Sequence, residues 1–98
     1  MNELSFNGLV INSDEKLCYI DNVALKLTKS EYNVLIFLLK NRNKIFSREE
    51  LIEVAWTEPV ATRAVDTAMS RLRKKLGDYS KYLVSRIGFG YGFMENSK

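Results

Sequence analysis

Seven cationic side chains fall within residues 62–86: Arg63, Arg71, Arg73, Lys74, Lys75, Lys81 and Arg86, against Asp66 and Asp78. Residues 1–40 hold four Lys and five Asp or Glu, so the chain's net charge of +3 comes from the residues after them. Cations at this density suit a polyanion: Lys neutralises phosphates and the Arg fork grips guanine O6 and N7. Wound at about 100° per residue, Arg63, Thr67, Ser70 and Lys74 share one side, with Arg71 and Arg73 on its two shoulders. Val65, Met69, Leu72 and Leu76 cluster within about 60° on the opposite side, a compact core stripe. A helix that packs with one side and offers small polar groups and cations on the other can enter a major groove. Asp66, the only acid on it, lies in the first turn, where it compensates the helix dipole. A solvated basic helix without a partner has the same pattern, so charge and periodicity leave both readings open.

Other chemistries find little to work with. The chain has no histidine and one cysteine, Cys18, which removes His-based zinc sites and Ser-His or Cys-His nucleophile pairs. Glu49 and Glu50 are adjacent, so on a helix they diverge by about 100° and suit an N-terminus better than paired acid–base work. Gly88, Gly90 and Gly92 mimic a dinucleotide fingerprint, but no helical pattern follows them. The expectation is a chain without catalytic residues, metal or cofactor.

The elements that must position the basic helix are legible around it. Ninety-eight residues, 46% apolar and 28% charged, make one domain. Residues 1–27 read as short antiparallel strands: Leu4 to Ile11 broken near Gly8, Leu17–Ile20 after a polar turn, and Val23–Leu27 after Asp21-Asn22. Cys18 there is a small buried hydrophobe. Three helices fill 28–76. Thr28 with Glu31 forms a capping box ahead of Tyr32, Leu35, Leu38 and Leu39. Ser47 caps a second helix, with Leu51, Ile52, Val54 and Ala55 facing the core to about Trp56. The third runs from Thr62 to Leu76 and stops at Gly77. Asp78–Lys81 reads as polar loop, and 82–94 as a hairpin of Tyr82–Ile87 and Tyr91–Met94 around Gly88-Phe89-Gly90. The longest apolar run, Val34–Leu39, is far short of the roughly 20 residues that cross a bilayer. The N-terminus lacks a signal-peptide pattern. The expectation is a cytoplasmic domain away from membranes.

In order and spacing the chain resembles the winged helix-turn-helix effector domain of OmpR/PhoB-family response regulators. The residues that carry the resemblance are Leu25-Lys-Leu-Thr-Lys-Ser-Glu-Tyr32 with Leu35 and Leu38, then Phe46-Ser-Arg-Glu-Glu-Leu51 and Trp56. Arg63-Ala-Val-Asp66, Arg71-Leu-Arg-Lys-Lys-Leu76 and Gly88-Phe-Gly-Tyr91 complete it. The resemblance implies an α+β fold: a four-stranded N-terminal antiparallel sheet, a three-helix core and a C-terminal β-hairpin wing. It implies transcriptional regulation through sequence-specific binding to double-stranded DNA, in a two-component system. The third helix, 62–76, would read the major groove and the wing the adjacent minor groove. By position, Thr67, Ala68 and Arg71 match base-facing places; Arg63, Ser70, Arg73, Lys74 and Trp56 match phosphate-facing ones. The matching wing residues are Ser85, Arg86, Gly88, Gly90 and Tyr91. A homodimer on tandem or inverted half-sites is implied, and RNA polymerase as a second partner through the loop after Trp56, although Thr57–Thr62 is short for the family. The wing departs from the family pattern, with Ile87 where a basic residue usually stands and Gly92 where Arg or Lys is frequent. Backbone amides or Ser85 would have to replace those cations.

A different class of function fits the same residues, a winged-helix module that docks a protein through this surface or the Phe89/Tyr91 wing tip. The cation density argues against it, because interface cores are depleted in Lys.

Overall fold

The computed structural model describes residues 3–96. Four strands, β1 (Glu3–Phe6), β2 (Leu9–Asn12), β3 (Leu17–Ile20) and β4 (Val23–Leu25), form an antiparallel meander in sequence order. Asp21 and Asn22 both take positive φ between the paired Ile20 and Val23, the geometry of a two-residue hairpin turn. Register puts Leu4, Ile11, Cys18 and Leu25 in one cross-strand row. The row faces inward, and Leu9, Ile11 and Cys18 are buried. Burial also raises the Cys18 thiol to about 11, so it is an inert core group.

Helix α1 (Lys29–Lys40) opens on the expected capping box: Thr28 Oγ1 accepts from the Glu31 N–H, and the Glu31 carboxylate accepts from the Thr28 N–H at 2.9 Å. Helix α2 (Arg48–Ala55) has a second complete box, Ser47 with Glu50, where the sequence suggested only a cap. Leu51 and Ala55 of α2 are buried, whereas Val54 is 45% exposed, contrary to the core position expected for it. A two-turn helix has room for only one narrow stripe, and Val54 lies off it. Helix α3 (Arg63–Leu76) buries Val65, Met69, Leu72 and Leu76 against α1 and the sheet.

Gly77 ends α3 at φ +56, and a 3₁₀ helix, Gly77–Tyr82, replaces the expected polar loop. Its aromatics are the reason. Tyr79 Oη accepts the Gly8 N–H at 2.8 Å, and Tyr82 meets Phe6 edge-to-face at 4.7 Å and stacks on Phe93 at 5.7 Å between ring centroids. The wing follows as β5 (Leu83–Arg86) and β6 (Gly90–Phe93), one residue shorter at each end of β5 than the pattern suggested.

Candidate nucleic-acid interface

The wing is held at its base. Tyr91 exchanges two backbone hydrogen bonds with Phe46, at 2.8 and 2.9 Å, so the segment between α1 and α2 acts as a third strand beside β6. Gly90 passes so close to Phe46 that an added Cβ would sit 1.9 Å from its carbonyl oxygen. Gly92 is buried in the same way, 2.2 Å in Cβ terms from the Lys44 carbonyl oxygen. In this chain the position after the tyrosine is therefore closed to the cation that many family members carry.

Two side-chain struts then fix the hairpin to α3. The Tyr91 hydroxyl donates to Asp66 Oδ1, which also takes the Arg48 Nε–H at 2.8 Å from the start of α2. Those two bonds hold the Asp66 carboxyl below the usual carboxylate range, Tyr91 first and Arg48 second. Burial, then the same carboxylate, pushes the Tyr91 phenol up. One turn pair along, the Arg73 guanidinium donates to the Leu83 carbonyl at 3.1 Å. Asp66 and Arg73 are seven residues apart and so share one shoulder of α3. The wing lies along that shoulder.

The opposite shoulder meets α1. Lys75 Nζ reaches Glu31 Oε1 at 2.6 Å, and the Glu31 side chain is only 1% exposed. Burial pushes this carboxyl up, but the bonds from Lys75 and Thr28 outweigh it and leave it below its ordinary value. Above that pair is an open hollow of about 350 Å³ lined by Thr28, Ser30, Trp56, Ala64, Thr67, Ala68 and Arg71. Trp56 closes α2 and packs half-buried against the core, with one side on this hollow.

Between the shoulders Arg63, Thr67, Ser70 and Lys74 are exposed, and so is Arg71 at the lip of the hollow. Thr67 Oγ1 donates to the Arg63 carbonyl at 3.1 Å, which commits its proton and leaves the oxygen able to accept. The groove side read from periodicity is thus open to solvent. Three site residues are placed otherwise. Ala68 is 6% exposed, on the floor of the hollow rather than facing out. Tyr91 is 8% exposed, its hydroxyl committed to Asp66. Arg73 is half-buried, with one guanidinium N–H donated to the Leu83 carbonyl of β5. Of the wing residues, Ser85, Arg86 and Gly88 are exposed and Gly90 lies under Phe46. Asp66 and Arg48 carry a role that sequence reading missed, because their partners lie 18 and 25 residues from Asp66. Among the described residues no group of three His, Cys, Asp or Glu could hold a metal ion, and no helix is long and apolar enough to cross a membrane.

A family profile described as "Transcriptional regulatory protein, C terminal" matches residues 22–93. The transcriptional regulatory protein SrrA of Staphylococcus aureus is 38% identical over 96 residues, covering 92% of this chain and 40% of SrrA. The chain therefore spans about two-fifths of the length of the curated relatives it matches. Among solved structures, the AdeR response regulator DNA-binding domain in complex with an intercistronic region superposes with a TM-score of 0.84 at 30% identity, covering 92% of this chain and 97% of that one. Thermotoga maritima DrrB, an OmpR/PhoB homologue, gives 0.84 at 32% identity, over 95% of this chain and 44% of DrrB. These likenesses extend over the sheet, the three helices and the wing alike, and the family is one of transcriptional regulators rather than enzymes. The chain belongs to the transcriptional regulatory C-terminal domain family, the winged-helix effector domains of OmpR/PhoB-type response regulators.

Proposed function

We propose that this domain binds double-stranded DNA sequence-specifically, as the effector part of a two-component response regulator acting in the cytoplasm, and that α3 is its major-groove reader. The observation that carries the reading is the open side of α3, where Arg63, Thr67, Ser70, Arg71 and Lys74 are exposed between two occupied shoulders. A helix about 10–12 Å across fits a major groove about 12 Å wide, provided nothing bulky projects from the inserted side. Here the projecting groups are a hydroxyl, a methyl and cations. Arg71 is the base reader, able to present its fork to a guanine edge, and Thr67 contacts a neighbouring base. Arg63, Ser70 and Lys74 fix the register on phosphates, with Arg86 of the wing adding another. The AdeR domain, of similar shape throughout, was solved on DNA, which supports the assignment. Pairing of two copies on tandem or inverted half-sites would add a second recognition helix one turn along the duplex.

Selection of binding sites from a random pool of duplexes tests this. The expected result is a recurring motif of two spaced half-sites. Recovery of unenriched sequence, with no retardation at low salt, would refute it.

A further inference from the structure

We infer that the tip of the β5–β6 hairpin is an apolar wedge that packs Ile87 and Phe89 into the minor groove beside α3, an inference that rests on the DNA-binding reading above. Ile87 is 98% exposed and Phe89 74%, the two most exposed large hydrophobic side chains among the described residues. The backbone holds them there. Phe89 N–H donates to the Arg86 carbonyl at 2.9 Å, and Gly88 between the two apolar residues takes φ +85, as the third residue of a type II turn does. An added Cβ on Gly88 would meet nothing within 4 Å, so there is open space at the centre of the turn.

The support beneath the tip is rigid. Gly90 sits under the Phe46 carbonyl, Tyr91 is bonded to Phe46 and Asp66, and Leu83 is held by Arg73. Leu83 pairs with Phe93 and Ser85 with Tyr91, so the strands run along α3 from its Arg73 end towards its Asp66 end. The tip lies beyond the second strut. A duplex seated on the Arg63–Thr67–Ser70–Lys74 side would bring the strand bordering the major groove, then the minor groove, past this shoulder.

The occupant follows from the surroundings of the tip. Arg86 and Ser85 are exposed at its base, next to the cationic side of α3, so the tip continues a surface suited to a polyanion. Within such a surface, bulky apolar groups have sugar walls and base faces as partners. Phe and Ile are among the side chains that wedge between base steps and kink duplexes by about 20–90°. Pyrimidine–purine steps yield most easily, so the tip would read deformability rather than hydrogen-bonding edges.

The test compares the wild-type chain with an Ile87→Ser/Phe89→Ser variant and an Ile87→Leu/Phe89→Leu variant. The probe is a duplex recovered from a random pool by the wild-type chain. Affinity is titrated across salt concentrations, and the bend is read by energy transfer between dyes on the duplex ends. The Ser variant should bind about tenfold more weakly with an unchanged salt slope, since apolar contact and not phosphate neutralisation is lost. Its duplex should be straighter, while the Leu variant should retain affinity and bend. A Ser variant that binds and bends like the wild type would overturn the wedge while leaving the α3 reading intact. So would one that keeps its DNA affinity and loses only binding to another protein. If the wild-type chain recovers no preferred duplex, the α3 reading itself has failed and the wedge with it. Circular dichroism would verify that the exposed substitutions leave the fold unchanged.

Discussion

Tyr91 of the wing and Asp66 of α3 are joined by a hydroxyl-to-carboxylate hydrogen bond, with the Arg48 guanidinium 5.9 Å above the Tyr91 ring and bonded to the same carboxylate. One carboxylate therefore links the starts of α2 and α3 to β6. The wing is thus held against α3 by side chains as well as by the backbone bonds between Tyr91 and Phe46.

Asp66→Asn tests this link through pH. A carboxyl held below its unfolded value adds stability that is present above the unfolded value near 3.9, and that stability is lost as pH falls through the folded one. The variant should melt a few degrees lower than the wild type at pH 7. The gap should close as pH falls through the lowered folded value, where the wild-type carboxyl is protonated too. A gap of constant size from pH 7 to 3, followed by thermal denaturation, would show that the carboxylate charge is not what matters.

Gly90 and Gly88 should respond differently to alanine. At Gly90 the methyl meets the Phe46 carbonyl and φ is +135, so Gly90→Ala should cost about 3 kcal/mol or more and free the wing from the 43–46 segment. At Gly88 there is open space and only the φ +85 strain, so Gly88→Ala should cost about 1–2 kcal/mol. Denaturant midpoints of the two variants settle the order.

Glu31→Ala removes the side-chain half of the α1 capping box and the partner of Lys75, while Thr28 Oγ1 can still accept the N–H of residue 31. A loss of about 3 kcal/mol is expected, towards the lower end for breaking a buried pair, because Lys75 is 34% exposed and stays solvated. Glu31→Gln should lose less, since an amide oxygen can still accept the Thr28 N–H. Equal losses in chemical denaturation would mean that the cap contributes nothing beyond the ion pair.

Within DNA recognition, Arg71→Ala should cost about 1–3 kcal/mol and relax preference at one base position. Lys74→Ala should weaken all sequences alike and lower the slope of log K against log salt by about 0.9. The two variants are separable by titrating the selected duplex and a scrambled one at three salt concentrations.

Local signals carried much of this fold. Thr28 and Glu31 announce α1, Asp21-Asn22 the tight turn, and the Val65–Met69–Leu72–Leu76 stripe the buried side of α3, because each is a pattern between near neighbours. The open side of α3 follows directly from that stripe. What sequence did not disclose depends on contacts across the fold. Asp66 looks like any first-turn acid until Arg48 and Tyr91 are brought to it. Arg73 counts as a surface cation until β5 presents its carbonyl. On the wheel of about 100° per residue Ala68 lies about 60° from Arg71, on the side towards Leu72, and the start of α1 with Trp56 completes its cover. The 3₁₀ helix was hidden because Tyr79 and Tyr82 are drawn inward by Gly8 and Phe6, from the other end of the chain.

The central claim, that the exposed side of α3 is the surface that meets DNA, is tested most directly by removing equal charge from two places. One variant carries Arg63, Arg71 and Lys74 as alanine; the other carries Lys16, Lys26 and Lys40, exposed on the sheet and the far end of α1, as alanine. Both lose three positive charges, so any difference reports position. Retardation of the selected duplex should vanish with the α3 triple and persist within about threefold of wild type with the other, whose cations make no phosphate contact. Equal weakening by the two triples would mean that net charge, and not this helix face, holds the DNA, and the account would be contradicted.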